Sequence, residues 1–295
     1  MAESSIHFEG LSMNWNQIKD FYPYDHDIVL SIPEWQNHIK KIEEQIHADP
    51  GWYANDQIEA QYKGPYRTHL KRRRSYLKTT INNWYNRNTP DTQNFQVIDI
   101  GCGDGQHLMW LKDIPNIDLY GSDYNLLRLR RAKKNVPSTR LLLMDILDIP
   151  FDNNYFDIIL CNHVLEHIKD DQHALQEMGR ILAPGGMLVL GIPNEGSKWW
   201  QLAYDLETNL REITDHVHFY TAEKINRLLI RVVTTSSECR GLYCSGIQWM
   251  GYGLPHFTAD SVFRNIDGMD DIMEKIGQTY FKEQASSLYF VIQKK

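Results

Sequence analysis

The stretch V-I-D-I-G-C-G-D-G, Val97 to Gly105, decides how the chain is read. An apolar run is broken by one acid, Asp99, and then a glycine stands at every second position: Gly101, Gly103 and Gly105. The apolar part has the composition of a strand buried on both faces. The glycines permit backbone angles that other residues resist, and they let a ligand approach the main chain closely. A dinucleotide fingerprint needs G-x-G-x-x-G, with the pyrophosphate on a helix N-terminus. Here Gln106 occupies the place of the third glycine.

Strand and helix patterns alternate outward from this stretch, from Phe95 to about Ile192. I-D-L-Y-G-S-D, R-L-L-L-M-D, Y-F-D-I-I-L-C and M-L-V-L-G-I read as four further buried strands. Between them lie helical patterns: Gln106 to Leu111, a helix capped by Asn125 and running through Lys134, and an apolar stripe from Ala174 to Leu182 that Pro184, Gly185 and Gly186 stop. Continuous apolar strands separated by amphipathic helices imply a doubly wound α/β domain with a parallel sheet covered on both faces. Ligands of such sheets bind at the carboxyl ends of the strands.

Residues 1–88 show no such alternation; aromatic residues punctuate a polar segment, and Tyr66 to Arg87 reads as a long helix. This segment is expected to form a helical cap. Residues 89–295 are expected to form the core, with the acceptor site built by a loop at 194–219 and an insertion at 246–283, and with S-L-Y-F-V-I as a closing strand.

Three acids sit where the expected strands end. Asp99 lies inside the first strand, where a buried carboxylate needs a cationic or hydrogen-bonding partner. Asp123 ends the second strand, placed to accept from both hydroxyls of a ribose, and Asp145 follows the third, placed to accept from an adenine amine. Together they describe a ligand with an ammonium, a ribose and an adenine, and no requirement for phosphate.

On these motifs the chain resembles the class I S-adenosylmethionine-dependent methyltransferases, most closely the small-molecule group typified by ubiquinone and menaquinone biosynthesis. The resemblance covers roughly residues 95–230 and rests on D-I-G-C-G-D-G, S-D-Y, M-D-I, F-D-I-I-L-C-N-H-V-L-E-H-I and L-A-P-G-G-M-L in that order. It implies a Rossmann-like seven-stranded sheet of order 3-2-1-4-5-7-6 with the last strand antiparallel, and S-adenosyl-L-methionine as cofactor. It also implies cofactor contacts from Asp99, Gly101, Cys102, Gly103, Gly105, Asp123, Tyr124, Met144, Asp145, Ile146 and Asn162. Tyr66 and Arg67 precede the core closely enough to touch the methionine end or the acceptor. Trp199 and Trp200 stand in a loop that borders the acceptor in this fold.

A methyl group on a sulfonium already has an excellent leaving group, so the enzyme mainly aligns two reactants. Alignment supplies about 7–11 kcal/mol of the barrier, whereas a general base adds about 10² to 10⁴ in rate. If a base is used, the candidates are His163, after the fourth strand, and His216 or His218 in D-H-V-H-F-Y-T.

The chain of 295 residues is 42% hydrophobic and 12% aromatic, with a net charge of -7 and a pI near 5.9. That balance is globular and argues against a protein built to grip nucleic acid, as does C-N-H-V where amino-group DNA methyltransferases carry N-P-P-Y. The run Lys71 to Arg74 spans every direction of a helix and reads as a solvated face, and Arg128, Arg130, Arg131, Lys133 and Lys134 suit a helix C-terminus without a partner. The four cysteines form no C-x-x-C pair, so neither a metal site nor a disulfide framework is expected. No apolar stretch suits a membrane span. The expectation is a cytoplasmic enzyme acting on a small-molecule methyl acceptor.

Two other classes compete. Y-T-A-E-K, Tyr220 to Lys224, matches the Y-x-x-x-K of short-chain nicotinamide dehydrogenases, but Glu207 stands where their serine belongs. A non-catalytic adenosyl-ligand-binding protein would share the same glycine loop and acids.

Overall fold

The computed structural model describes residues 12–48, 58, 66–88, 94–207 and 214–295. Its centre is a nine-stranded sheet ordered β1-β2-β5-β4-β3-β6-β7-β9-β8. The strands are β1 (Tyr24–Asp25), β2 (Ile28–Leu30), β3 (Phe95–Ile100), β4 (Ile117–Asp123), β5 (Arg140–Leu143), β6 (Phe156–Asn162), β7 (Leu182–Pro193), β8 (Leu242–Met250) and β9 (Ser287–Lys294). β2 through β7 are parallel where they pair, and β9 runs antiparallel between β7 and β8. From β5 to β8 the order is the expected 3-2-1-4-5-7-6.

The two extra strands correct the expected count of seven and the purely helical reading of the amino-terminal segment. Y-D-H-D-I-V-L folds as a hairpin whose turn residues, His26 and Asp27, take positive φ of 47° and 62°. Ile28, Val29 and Leu30 then extend the sheet by pairing in parallel with Leu141, Leu142 and Leu143. All three are buried, which a run of only three apolar residues does not announce.

The helices are α1 (Trp15–Phe21), α2 (Trp35–Ala48), α3 (Arg67–Arg87), α4 (Leu108–Leu111), α5 (Leu126–Asn135), α6 (Asp171–Ile181), α7 (Lys198–Leu206), α8 (Ala222–Thr235), α9 (Phe257–Arg264) and α10 (Met269–Tyr280). Asn125 caps α5 as expected, its side-chain oxygen accepting from the N–H groups of Leu127 and Arg128 at 3.0 and 3.2 Å. α3 covers the sheet as well as bordering the site: Leu77, Ile81 and Trp84 join the core formed with Val97, Leu160 and Val189. The segment read as a loop at 194–219 contains α7, whose N-cap Ser197 accepts from Trp200 N–H at 3.4 Å. The insertion expected at 246–283 begins inside β8 and continues as α9 and α10.

Among the described residues, no helix is long and apolar enough to cross a membrane.

Candidate active site

β3 is apolar on both faces because sheet neighbours β4 and β6 and the covering helices leave none of Val97 to Ile100 in solvent. Asp99 is carried into that interior. Its two carboxylate oxygens have no hydrogen-bond partner among the described residues. Burial, and then the charge of Asp123, push its pKa well above the ordinary carboxylate range. An acid so buried either keeps its proton or is balanced by a cation or donors from outside the protein.

The chain then turns through Gly101, Gly103 and Gly105 with φ of 73°, 54° and 86°. The three glycines serve different ends. A Cβ at Gly101 would lie 2.1 Å from Val164 Cγ2, and one at Gly105 would lie 3.1 Å from Val136 Cγ2, so both let neighbouring elements pack. At Gly103 a Cβ meets only the tip of Arg128, at 3.2 Å, and this glycine borders open space. Asp123, at the end of β4, ties the loop down: Oδ2 accepts from Gly103 N–H and Oδ1 from Asn125 N–H, both at 2.8 Å. Burial raises its pKa, against the charge of Arg128 and those two N–H groups. Each oxygen keeps a lone pair for a further donor.

A cavity of about 920 Å³ opens above these strand ends. It brings together Gly101, Cys102, Gly103, Asn162, His163, His216, Trp199, Trp200 and Tyr66 from the sequence-derived set. Asp99, Gly105, Asp123, Tyr124, Met144, Asp145 and Ile146 are not among its walls. Asp99 is buried in β3 beneath the glycine turn, Gly105 packs against Val136, and Asp123 is bonded to the N–H of Gly103. Met144 and Ile146 are buried in the core, and Asp145 Oδ1 accepts from its own Leu147 N–H at 2.9 Å. Tyr124 is half exposed, with the His38 ring of α2 against it at 4.0 Å.

Two expected positions lie elsewhere. Arg67 points outward from α3, 3.7 Å from Asp267, because it is off the helix face that meets the cavity. His218 stacks on Tyr220 at 5.4 Å and lines a separate cavity of about 240 Å³ with Asp171 and Lys224. That second cavity also takes the dehydrogenase-like pair out of the main one. Tyr220 donates to Asp171 at 2.8 Å and Lys224 to the carbonyl of Phe219 at 2.7 Å.

The remaining walls come from residues that the sequence reading passed over. The face of α3 that carries Leu77 and Ile81 continues toward its N-terminus as Arg73, His69 and Tyr66, spaced three and four residues apart. The run Lys71 to Arg74 is therefore not a solvated face: Arg73 and Arg74 line the cavity, and Arg72 pairs with Asp270, Asp271 and Glu274. The second basic run also has partners, Arg130 with Asp25 and Arg131 with Asp104. Register with the apolar stripe was the signal available in the sequence.

His163 follows β6 with a positive φ of 57°, a strained backbone of the kind that collects at functional sites. Its Nε2 is 3.2 Å from Arg73 Nη1, which can only donate. Nε2 is therefore the accepting nitrogen, and Nδ1–H donates to Glu166 Oε1 at 3.2 Å. Burial lowers the His163 pKa, against the bond to Glu166, so the ring is neutral. His216 behaves in the opposite way. Burial pulls its pKa down, but the bond to Glu195 at 2.8 Å and that carboxylate's charge raise it on balance. Asn162 donates to His107 Nε2 at 3.3 Å and leaves its own Oδ1 unpartnered at the cavity wall.

Trp199 and Trp200 sit on the first turn of α7, packed on Phe281 and Phe257 at 5.1 and 4.9 Å. Glu166, His167 and His216 bring one metal-ligand type of atom each within 4.8 Å of one another, a grouping the sequence reading did not foresee. Each also holds a protein partner: His163 for Glu166, Asp215 for His167 and Glu195 for His216.

Comparison with known proteins agrees with this geometry. Residues 98–190 match the family model described as a methyltransferase domain. The demethylmenaquinone methyltransferase of Staphylococcus carnosus is 35% identical over 99 residues, 32% of this chain and 41% of that protein. An uncharacterised protein of Methanocaldococcus jannaschii is 38% identical over 105 residues, 36% of this chain and 44% of that protein. The chain thus spans less than half the length of these curated relatives. A candidate sarcosine dimethylglycine methyltransferase from Galdieria sulphuraria superposes with a TM-score of 0.52 at 15% identity, covering 78% of this chain and 86% of that one. At that identity the likeness shows the fold alone. Residues 98–190 thus form a methyltransferase domain of the class I S-adenosylmethionine-dependent type.

Proposed function

We propose that the chain transfers the methyl group of S-adenosylmethionine to an oxygen or nitrogen of a small organic acceptor, chiefly by holding the two in line. The observation that carries this reading is one continuous cavity with two unlike ends: a bare glycine turn backed by an unpartnered buried acid, and a wall of aromatic and basic side chains. The cofactor supplies an electrophilic methyl on a sulfonium. The protein's part is to bind and place. Asp99 is placed to pair with an ammonium, whose charge would favour the ionised carboxylate, and Asp123, fixed by Gly103 and Asn125, offers its remaining lone pairs to ribose hydroxyls. Gly103 keeps the main chain open, and Asn162 lines the cavity beside His163.

His163 is the group best placed to take the acceptor's proton. It is neutral, it lies in the cavity wall, and Glu166 holds its Nδ1–H, so that Nε2 becomes the basic atom once Arg73 turns from it to the acceptor. His216, whose pKa is raised, is the poorer base at neutral pH. The four cysteines stand as free thiols, which supports a reducing cytoplasmic setting.

Release of S-adenosylhomocysteine from a panel of hydroxyl- and amine-bearing metabolites tests the reading. With an accepted substrate, His163→Gln is expected to lower kcat about 100-fold and leave the affinity for S-adenosylhomocysteine within a few-fold. Unchanged kcat would remove His163 as the base; binding of S-adenosylhomocysteine with no turnover of any acceptor would favour a non-catalytic role.

A further inference from the structure

The acceptor half of the cavity contains charge that the protein does not balance. Arg264 is neutralised by Asp260 at 2.7 Å and by Asp270, and Arg72 by three carboxylates. Arg73 is different. Its hydrogen bonds are to the neutral ring of His163, at 3.2 Å, and to the hydroxyl of Ser287. Its Nε is buried and has no partner among the described residues. Glu166 and Glu274 reach it only through charge, without a hydrogen bond, and Glu166 is turned to the other side of His163.

Two more buried polar groups converge on the same place. Among the described residues, His69, one turn back on α3 and 4% exposed, has no partner for either ring nitrogen, and Tyr289 of β9, with no exposed surface, has none for its hydroxyl. All three side chains line the cavity. Buried donors are rarely left unpaired in folded proteins, and an uncompensated guanidinium is costly to bury. A guanidinium fork beside a hydroxyl and an imidazole is a receptor for a planar oxyanion.

Building on the methyl-transfer reading, the geometry points to an acceptor that carries an anionic oxygen group, most simply a carboxylate, held by Arg73 with help from Tyr289 and His69. The cofactor's own carboxylate is the alternative source of such a group. Position separates the two. Arg73 touches His163, after β6, and Ser287, the first residue of β9, whereas Arg74, Gln106 and His107 border the glycine-loop end.

Calorimetry on the full chain saturated with S-adenosylhomocysteine tests this, with benzoate, inorganic phosphate and the neutral analogue benzamide as probes. Saturable binding of benzoate or phosphate is expected, at least tenfold tighter than benzamide. The preference should be lost in Arg73→Met and partly kept in Arg73→Lys, which also reports on the site if the methionine variant does not fold. Binding of neither anion, or equal anion binding by wild type and Arg73→Met, would overturn the inference. A collapse of S-adenosylhomocysteine affinity in Arg73→Met would overturn it too, by giving the guanidinium to the cofactor. If wild type binds no S-adenosylhomocysteine, the methyl-transfer reading itself fails, and titrating the anions into the unliganded chain still decides the Arg73 site.

Discussion

At the glycine-loop end of the cavity, which we propose takes the cofactor, most lining residues lie within a few positions of a strand end, between Gly101 and Asn162. At the opposite end, which we propose takes the acceptor, the walls come from α3, from the turn after β6, from α7 and the segment after it, and from α9 and the start of β9. The first arrangement is set by one parallel sheet whose strands all finish at the same edge. The second is assembled by tertiary packing across most of the chain length. One end is local in sequence and repeats a known pattern; the other draws mostly on segments outside residues 98–190, the part that matches the family model.

The sharpest way to break that contrast is inside the glycine turn. Gly103→Val is expected to abolish binding of S-adenosylhomocysteine while the protein still unfolds cooperatively, because the new side chain meets only the tip of Arg128 and the cost to the fold is the left-handed backbone strain of about 1–2 kcal/mol. Gly101→Ala is expected to do the reverse. Its Cβ is driven into Val164, so overpacking of about 1–3 kcal/mol should lower the melting temperature by roughly 3–10 °C. Thermal melts with and without ligand separate these outcomes. Equal loss of stability in both variants would mean that the turn is a packing device only.

A smaller effect distinguishes the two histidines of D-H-V-H. The His216 pKa lies above the ordinary imidazole value in the folded protein, so its pairing with Glu195 stabilises fully below that ordinary value and is lost as pH rises through the higher one. The melting-temperature gap between wild type and His216→Gln should therefore be widest near pH 6 and narrow by about pH 9, in line with the reference imidazole value. A gap that widens with pH would contradict the assignment. The smallest change is expected for His218→Ala, which lies off the cavity and should leave the kinetics of methyl transfer unaltered.

The sheet order from β5 to β8 was legible because long apolar strands and amphipathic helices alternate there with clear stops. The β1–β2 hairpin was not, since Ile28 to Leu30 is too short to show a period and becomes a strand only by pairing with β5. The glycine turn and Asp99 were legible because their spacing carries the chemistry directly. Arg73 was hidden inside a basic run whose surface reading ignored its register with Leu77 and Ile81. His218 was misplaced for the opposite reason: two residues beyond His216, it shares the motif, but its ring turns to the opposite side and stacks on Tyr220.

Isothermal titration of S-adenosylhomocysteine and, separately, NADH into the full chain tests the central claim most directly. Saturable one-to-one binding of S-adenosylhomocysteine, absent in Gly103→Val, with no comparable heat from NADH is the predicted result. Tight NADH binding, or no S-adenosylhomocysteine binding by the folded wild-type chain, would contradict it.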